Sequence, residues 1–132
     1  MRRVISVIVL NEHGVLSRIV GLFSGRGYNI ESLTVAPVPN SEFSRINIVT
    51  IGDEHTIEQI IKQLHKLIST YKVIDSGEFV EREMVLLKIS LNEDYIIVMA
   101  CDEADRIENF IKVMKKYKPS QIVRSGSVMM EL

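Results

Sequence analysis

A polar segment that ends in a glycine has the residue types and the spacing to bind a small anion. Asn11 and Gly14 follow an apolar run, and Gly14 stands directly before a helical pattern of apolar residues. A glycine has no Cβ, so a ligand can approach its backbone closely. The first turn of a helix offers unpaired N–H groups and a partial positive charge, which suit a carboxylate or a phosphate. The sequence therefore predicts that the backbone of this segment binds a small anionic molecule.

Simpler interpretations of the same residues stay open. Asn11 belongs to the residue types that cap helix N-termini best, and Gly14 could serve a tight turn alone. Arg18 and Arg45 could bind a phosphate, although arginines are usually exposed without any such role. Neither Ser6 nor Ser17 has a nearby base that could activate its hydroxyl, so nucleophilic catalysis has no support.

Neither a metal site nor a catalytic residue is predicted. His13, His55 and His65 lack the spacing of metal ligands, and we expect them at the surface. The acidic cluster at residues 102–105 fits a helix cap better than a cation site, with Asp102 or Asp105 as the capping residue. Cys101 is the only cysteine, which excludes an intramolecular disulfide and a cysteine-based zinc site. We expect its side chain to be a small buried hydrophobe.

The length and the charge of the chain limit the classes of protein to which it can belong. A chain of 132 residues is one ordinary domain or two very small ones. The formal net charge is −1, with acidic and basic residues interspersed, so no basic field points to nucleic acid. No apolar run reaches the ~18–20 residues that span a bilayer. Together these features predict a cytoplasmic protein without a membrane segment.

Apolar periodicity predicts a β-α-β-β-α-β order in the first part of the chain. Strands are predicted at 4–10, 29–37, 43–51 and 72–79, and helices at 14–23 and after Asp53, which can cap the second helix. The core face of that helix comprises Ile57, Ile60, Ile61, Leu64, Leu67 and Ile68. This order gives an α+β, ferredoxin-like fold with both helices on one face of an antiparallel sheet. The first strand is apolar on both faces, which argues for self-association.

The second part of the chain predicts a smaller domain. Residues 78–83 are interpreted as a charged joint, so the predicted domains are 1–78 and 84–132. Strands are predicted at 84–91, 95–101 and 121–130, with a kink at Gly126 in the last one. A helix carrying Ile107, Phe110, Ile111 and Met114 lies between the last two strands. The resulting ββαβ order is one helix and one strand shorter than the order of the first domain.

Several runs resemble the small regulatory subunit of acetolactate synthase (acetohydroxyacid synthase). The dense part of the resemblance comprises residues 2–7, 11–18 and 27–35, and the run Gly-Tyr-Asn-Ile-Glu-Ser-Leu-Thr-Val is highly specific. Shorter matches follow at 44–45, 48–50, 63–67, 81–83 and 123–126.

The resemblance implies an ACT domain that dimerises and binds a valine-type feedback effector at the dimer interface. It implies that Asn11 offers its amide to the effector and that Gly14, Val15 and Leu16 offer backbone N–H groups and a small apolar wall. Asn29 and Ile30 of the facing protomer would close the pocket. It also implies that this chain is non-catalytic and that thiamine diphosphate, magnesium and flavin belong to a separate catalytic large subunit.

One departure from the family pattern lies in the second domain. The chain runs from Glu93 directly into Asp94, where the family pattern has a helix and a strand. A deletion in this member and a gap in the sequence both explain the departure. It leaves the effector motif untouched.

Two other functions are compatible with a ferredoxin-like order. An acyl-phosphate hydrolase would need an arginine in the loop after the first strand, where Glu12 would instead repel phosphate. An RNA-recognition module would need aromatic residues on the sheet face. The first strand has none, and the third has only Phe43 at its start.

Overall fold

The computed structural model describes residues 1–132, which divide into two compact units. The first unit comprises Met1–Glu78 and the second Phe79–Leu132. None of the helices combines the length and the apolar character needed to span a membrane.

The first unit has the β-α-β-β-α-β order that the periodicity predicts. Its elements are β1 (Arg2–Leu10), α1 (Val15–Gly25), β2 (Ile30–Pro37), β3 (Phe43–Ile51), α2 (Glu54–Lys66) and β4 (Thr70–Ile74). The four strands form an antiparallel sheet in the order β2-β3-β1-β4. Alternate residues of β1 pack with both helices in one core, so both helices lie on one face of the sheet. The core comprises Ile5, Val7, Val9, Val15, Ile19, Phe23, Ile46, Ile48, Ile57, Ile60 and Leu64.

Strand β1 is buried on both faces, as its run of Val, Ile and Leu, broken only by Ser6, predicts. Ile5 and Val7 face the helices, and the intervening Val4 and Ser6 are also buried, at 4% and 0% exposed. Since this burial already exists within a single chain, it does not by itself require a second copy. The prediction of self-association therefore has to rest on another part of the sheet.

Helix α2 begins as predicted but ends earlier. The side chain of Asp53 accepts a hydrogen bond of 2.7 Å from the backbone N–H of Thr56, which confirms the predicted cap. The helix ends at Lys66, and Leu67 has an extended backbone. Ile68 therefore falls outside the helical periodicity and is 97% exposed, so its predicted place on the core face is wrong.

Most of the charged joint expected at residues 78–83 belongs to a strand, although the boundary between the two units, after Glu78, falls within it. Strand β4 ends at Ile74, and a single strand, β5 (Phe79–Leu91), contains Glu81, Arg82 and Glu83. The carboxylate of Glu83 is buried because it is paired with Arg124, so a charged residue is compatible with the strand interior.

The second unit has the predicted ββαβ order. Strand β5 is followed by β6 (Asp94–Asp102), α3 (Ala104–Met114), a 3-10 turn at Lys115–Tyr117 and β7 (Gln121–Glu131). Both β6 and β7 pair antiparallel with β5, in the order β6-β5-β7. The core consists of Val85, Leu87, Ile107 and Ile111, with Phe110 and Met114 packed against it as predicted.

Two expectations for the second unit are wrong. Cys101 is exposed because Val98 and Ala100 take the core-facing positions of β6, and alternation places Cys101 on the other face. Neither Asp102 nor Asp105 is the capping residue of α3, since that position is Glu103. Asp102 instead accepts a hydrogen bond from the Glu103 N–H at 2.7 Å, and this bond lowers the pKa of Asp102.

Candidate functional site

The loop that joins β1 to α1 is held at both ends by hydrogen bonds to other segments. The N–H of Leu10 donates to the carbonyl of Ser69 at 3.0 Å, and the N–H of Asn11 donates to the carbonyl of Glu42 at 2.8 Å. Within the loop, the N–H of Glu12 donates back to the Leu10 carbonyl at 2.9 Å. These bonds anchor the backbone of the loop at its start, and residues 11–14 are exposed.

Gly14 is the capping residue of α1, so the helix begins one residue after the position predicted from the sequence. Its φ of 80° and ψ of 0° lie in the left-handed region that favours glycine. A Cβ built at this position would meet no atom within 4 Å. The space in front of the Gly14 backbone is therefore open, and only the backbone conformation requires a glycine here.

The N-terminus of α1 differs from those of the other two helices because nothing in the chain compensates it. It has no side-chain cap and no acidic residue in its first turn. Helix α2 has the Asp53 cap and Glu54, and α3 has Asp105 in its first turn. Asn11 is therefore not a helix cap, and that simpler interpretation is excluded. The N–H groups of Leu16 and Ser17 have no acceptor within the chain, so the positive end of the helix faces open space.

The two asparagines of the predicted site have free side-chain amides. Asn11 and Asn29 are both exposed, and neither side chain makes a hydrogen bond within the chain. The carbonyl of Asn29 accepts a 2.6 Å hydrogen bond from the hydroxyl of Thr50, which fixes the backbone from which its amide extends. Both amides are thus available to a ligand.

The three apolar residues of the predicted site differ in their exposure. Val15 is 6% exposed and belongs to the core. Leu16 is 41% exposed, and Ile30 is partly buried against the core. An aliphatic ligand could therefore contact Leu16 and Ile30 without disturbing the core.

A single chain does not bring all six predicted residues together. Leu10 pairs with Phe43 at one end of the sheet, whereas Ile30 pairs with Thr50 at the other. Seven residues of β3 separate these two levels, which is about 24 Å at ~3.4 Å per residue. The group formed by Asn11, Gly14, Val15 and Leu16 and the group formed by Asn29 and Ile30 therefore lie at opposite ends of the sheet.

Strand β2 provides an edge at which a second copy could close this gap. It is one of the two outer strands of the sheet, and Val35 is 46% exposed on it. Its pairing with β3 is irregular between Ile30 and Ser32, and such an irregularity changes the direction of the strand at its start. Two β2 strands related by a two-fold axis would run antiparallel, so Ile30 of one copy would lie near Pro37 of the other. Pro37 pairs with Ser44, at the same end of the sheet as Leu10.

One residue beside the loop, Ser69, was not predicted from the sequence. Ser69 is 5% exposed, and its hydroxyl donates to the Glu12 carboxylate at 3.0 Å and accepts from Arg18 at 3.2 Å. Because 57 residues separate Ser69 from Glu12, no local pattern could have indicated the contact. No group of three or more histidine, cysteine, aspartate or glutamate side chains in the chain could hold a metal ion.

Fold and site together define an ACT domain, and comparisons with known proteins specify which kind. Residues 5–72 match the family described as the AHAS small subunit-like ACT domain. Residues 88–132 match the family described as the small subunit of acetolactate synthase. The chain belongs to the acetolactate synthase small-subunit family, as the resemblance of its motifs predicted.

Individual relatives agree with this assignment. The isozyme 3 small subunit of Escherichia coli is 57% identical over 91 residues, which cover 67% of this chain and 56% of that protein. The small subunit of Buchnera aphidicola from Schizaphis graminum is 55% identical over 94 residues, covering 70% and 60%. The chain thus spans little more than half the length of these two relatives.

Two further relatives match the chain almost throughout. A probable acetolactate synthase small subunit of Archaeoglobus fulgidus is 37% identical over 153 aligned positions, which cover 98% of this chain and 96% of that protein. The crystal structure of the small subunit from Thermotoga maritima has a TM-score of 0.89 and 30% identity, covering 100% of this chain and 98% of that one. The α+β, ferredoxin-like fold is confirmed.

Proposed function

We propose that this chain is a non-catalytic regulatory subunit of acetolactate synthase that binds a branched-chain amino acid. The effector carboxylate would accept hydrogen bonds from the first turn of α1, beside Gly14. Its ammonium would meet the amide oxygen of Asn11 and that of Asn29 from a second copy. Val15, Leu16 and the second copy's Ile30 would contact the aliphatic side chain.

The single observation that carries this proposal is the uncompensated N-terminus of α1. The free N–H groups of Leu16 and Ser17 and the open space at Gly14 present donors and partial positive charge to solvent. A carboxylate is the complementary ligand. The free amides of Asn11 and Asn29 add groups that an α-ammonium can contact, so an amino acid fits better than a simple anion.

The energetics of feedback sensing match a site of this size. Half-saturation at micromolar to millimolar effector corresponds to about −8 to −4 kcal/mol. One methylene in an apolar pocket is worth about 1–3 kcal/mol. We therefore expect valine, leucine and isoleucine all to bind, with valine as the primary effector and modest differences among them.

Dimerisation through β2 is part of the proposal. An unpaired edge strand with exposed apolar residues is a natural site for adding another strand. Of the residues of β2, only Glu31 is charged, so little in the strand opposes pairing with its own copy. Two-fold pairing would supply Asn29 and Ile30 in trans to each α1 and would generate two identical sites.

The partner of this dimer would be the catalytic large subunit of acetolactate synthase, which would carry thiamine diphosphate, magnesium and flavin. We expect the regulatory chain to activate that subunit and the effector to reverse the activation, as feedback control of branched-chain amino acid biosynthesis requires. The coupling is reciprocal, so the catalytic subunit must change effector affinity by the same factor as the effector changes subunit affinity.

Reconstitution tests the proposal directly. Purified chain is mixed with the catalytic subunit of the same source, and acetolactate formation is followed while valine, leucine or isoleucine is added. Activation by the chain that valine then reverses is the expected result. Calorimetric titration of each amino acid into the chain alone is the second measurement, and absence of binding heat for all three would overturn the proposal.

A further inference from the structure

Ser69 contacts the candidate effector loop at three separate positions. Its carbonyl accepts from the N–H of Leu10 at 3.0 Å, directly before the loop. Its hydroxyl donates to Glu12 within the loop at 3.0 Å and accepts from Arg18, beyond the first turn of α1, at 3.2 Å. The residue itself lies between α2 and β4 and is 5% exposed.

We propose that Ser69 is a positioning residue that holds the β1–α1 loop in the conformation that binds the effector. The inference rests on the proposed function, because it concerns affinity for that same ligand. Ser69 does not touch the ligand in this arrangement. It acts through Glu12 and Arg18, which flank Gly14 in the sequence on either side.

The physical argument concerns the entropy of the loop. Glu12 and His13 are exposed, so the loop depends on hydrogen bonds for a single conformation. Without the Ser69 hydroxyl, Glu12 and Arg18 lose their only shared partner, and the loop samples more conformations before the ligand binds. Binding then includes the cost of ordering the loop, and affinity falls without loss of any ligand contact.

The hydroxyl also controls the charge that the ligand meets. Glu12 bears a carboxylate close to a site proposed for another carboxylate, which is unfavourable unless Glu12 is held away. The hydrogen bond from Ser69 directs the Glu12 carboxylate toward the α2–β4 turn, where Arg18 contributes positive charge. Loss of this contact frees Glu12 to approach the helix N-terminus and to compete with the effector.

The experiment is calorimetric titration of valine into the full chain, wild type beside Ser69→Ala. One hydrogen bond that orders a loop corresponds to about a 5- to 10-fold rise in the dissociation constant. We expect that rise with unchanged stoichiometry. Ser69→Thr keeps the hydroxyl and should recover most of the affinity. Ser120→Ala removes a hydroxyl that donates to the carbonyl of Lys88 in the second unit and should leave binding unchanged.

A double-mutant cycle separates positioning from general destabilisation. Glu12 is exposed, so Glu12→Ala should fold even where Ser69→Ala does not. This variant loses the ordering contact but also the carboxylate that could compete with the effector, so its loss of valine affinity should be smaller than that of Ser69→Ala. If Ser69 and Glu12 act through one contact, the double variant should bind valine no more weakly than whichever single variant has the lower affinity. Fully additive losses, or wild-type affinity in Ser69→Ala, would overturn the inference. Absence of valine binding by the wild-type chain would instead overturn the proposed function.

Discussion

Arg124 forms a two-point ion pair with Glu83, a residue that is only 5% exposed. The Nε of Arg124 donates to Oε1 of Glu83 at 2.7 Å and its Nη2 donates to Oε2 at 2.9 Å. The remaining Nη1 donates to Glu108 on α3 at 2.6 Å. The hydrogen bonds to Glu83 are the main cause that raises the pKa of Arg124, so the guanidinium keeps its positive charge. One side chain of β7 thereby ties together β5 and α3.

Loss of the Arg124 guanidinium should destabilise the second unit. Arg124→Ala leaves the Glu83 carboxylate buried without its partner, which costs about 2–4 kcal/mol. Urea denaturation followed by circular dichroism measures the loss. Arg106→Ala is the control, because its pair with Asp102 is 3.5 Å long and largely exposed, and such pairs contribute at most about 1 kcal/mol. Equal losses for the two variants would contradict the structural role of the Arg124–Glu83 pair.

Gly14→Asp should abolish the valine response while activation of the catalytic subunit persists. The carboxylate would lie at the N-terminus of α1 and would repel the carboxylate of the effector. Gly14→Asn is the matched control, since asparagine has the same shape, no charge and a similar tolerance of positive φ. We expect Gly14→Asn to keep measurable valine inhibition. Equal loss in both variants would assign the effect to shape or strain, and an unchanged response in Gly14→Asp would place the effector elsewhere.

The cap of α2 should make stability depend on pH in the acid range. The hydrogen bond from Thr56 lowers the pKa of Asp53 below its ordinary value of 3.8. Because the folded-state pKa lies below the unfolded one, the contribution is complete at neutral pH and is lost as pH falls from about 4 through the folded-state pKa. Asp53→Asn also caps a helix but does not titrate.

Melting temperatures of three variants between about pH 2.5 and 7 measure this contribution. At neutral pH, we expect Asp53→Asn to melt close to the wild type and Asp53→Ala to melt a few degrees lower. On acidification, both variants should lose less stability than the wild type, because their position 53 cannot be protonated. Parallel curves for the wild type and Asp53→Asn would show that the cap is insensitive to pH.

Much of the first unit could be predicted because the residues that determine its strands and helix starts are close together in the sequence. Strand β3 has the predicted bounds, Asp53 occupies the predicted capping position, and α1 begins within one residue of its predicted start. Ile68 was misplaced because α2 ends without the glycine or proline that usually marks a helix end. Residues 79–83 were assigned to a joint and not to a strand because Glu83 depends on Arg124, 41 residues away. Contacts at such separations, including that of Ser69 with Glu12, are fixed by the fold and leave no mark on nearby residues.

A charge on the edge of β2 should weaken the proposed dimer. Val35→Lys places one positive charge on each copy at the edge where the strands would pair, and charged residues at such edges oppose pairing. We expect the dimer dissociation constant to rise at least about tenfold, as measured by sedimentation equilibrium. Val113→Lys is the control, since Val113 is 59% exposed on α3 and lies outside the sheet. A wild-type chain that sediments as a monomer, or equal effects of both substitutions, would contradict pairing through β2.

Mixing two defective chains tests whether the site is shared between copies. The register of β3 places Asn11 and Asn29 about 24 Å apart in one chain, so both can contact one ligand only if they come from different copies. Asn11→Ala and Asn29→Ala should each abolish or strongly weaken valine binding as homodimers. In a mixed dimer, one site would contain both substitutions and the other would contain neither.

Random exchange of equal amounts makes half of the dimers mixed, so valine binding should return at about one quarter of the wild-type number of sites, with wild-type affinity. The two chains are unfolded and refolded together, and calorimetry then gives the stoichiometry. Each variant refolded alone is the control. A site formed within one chain predicts no recovery, because every chain would still lack one of its two amides. Recovery of intact sites therefore requires that the two asparagines act across the dimer interface.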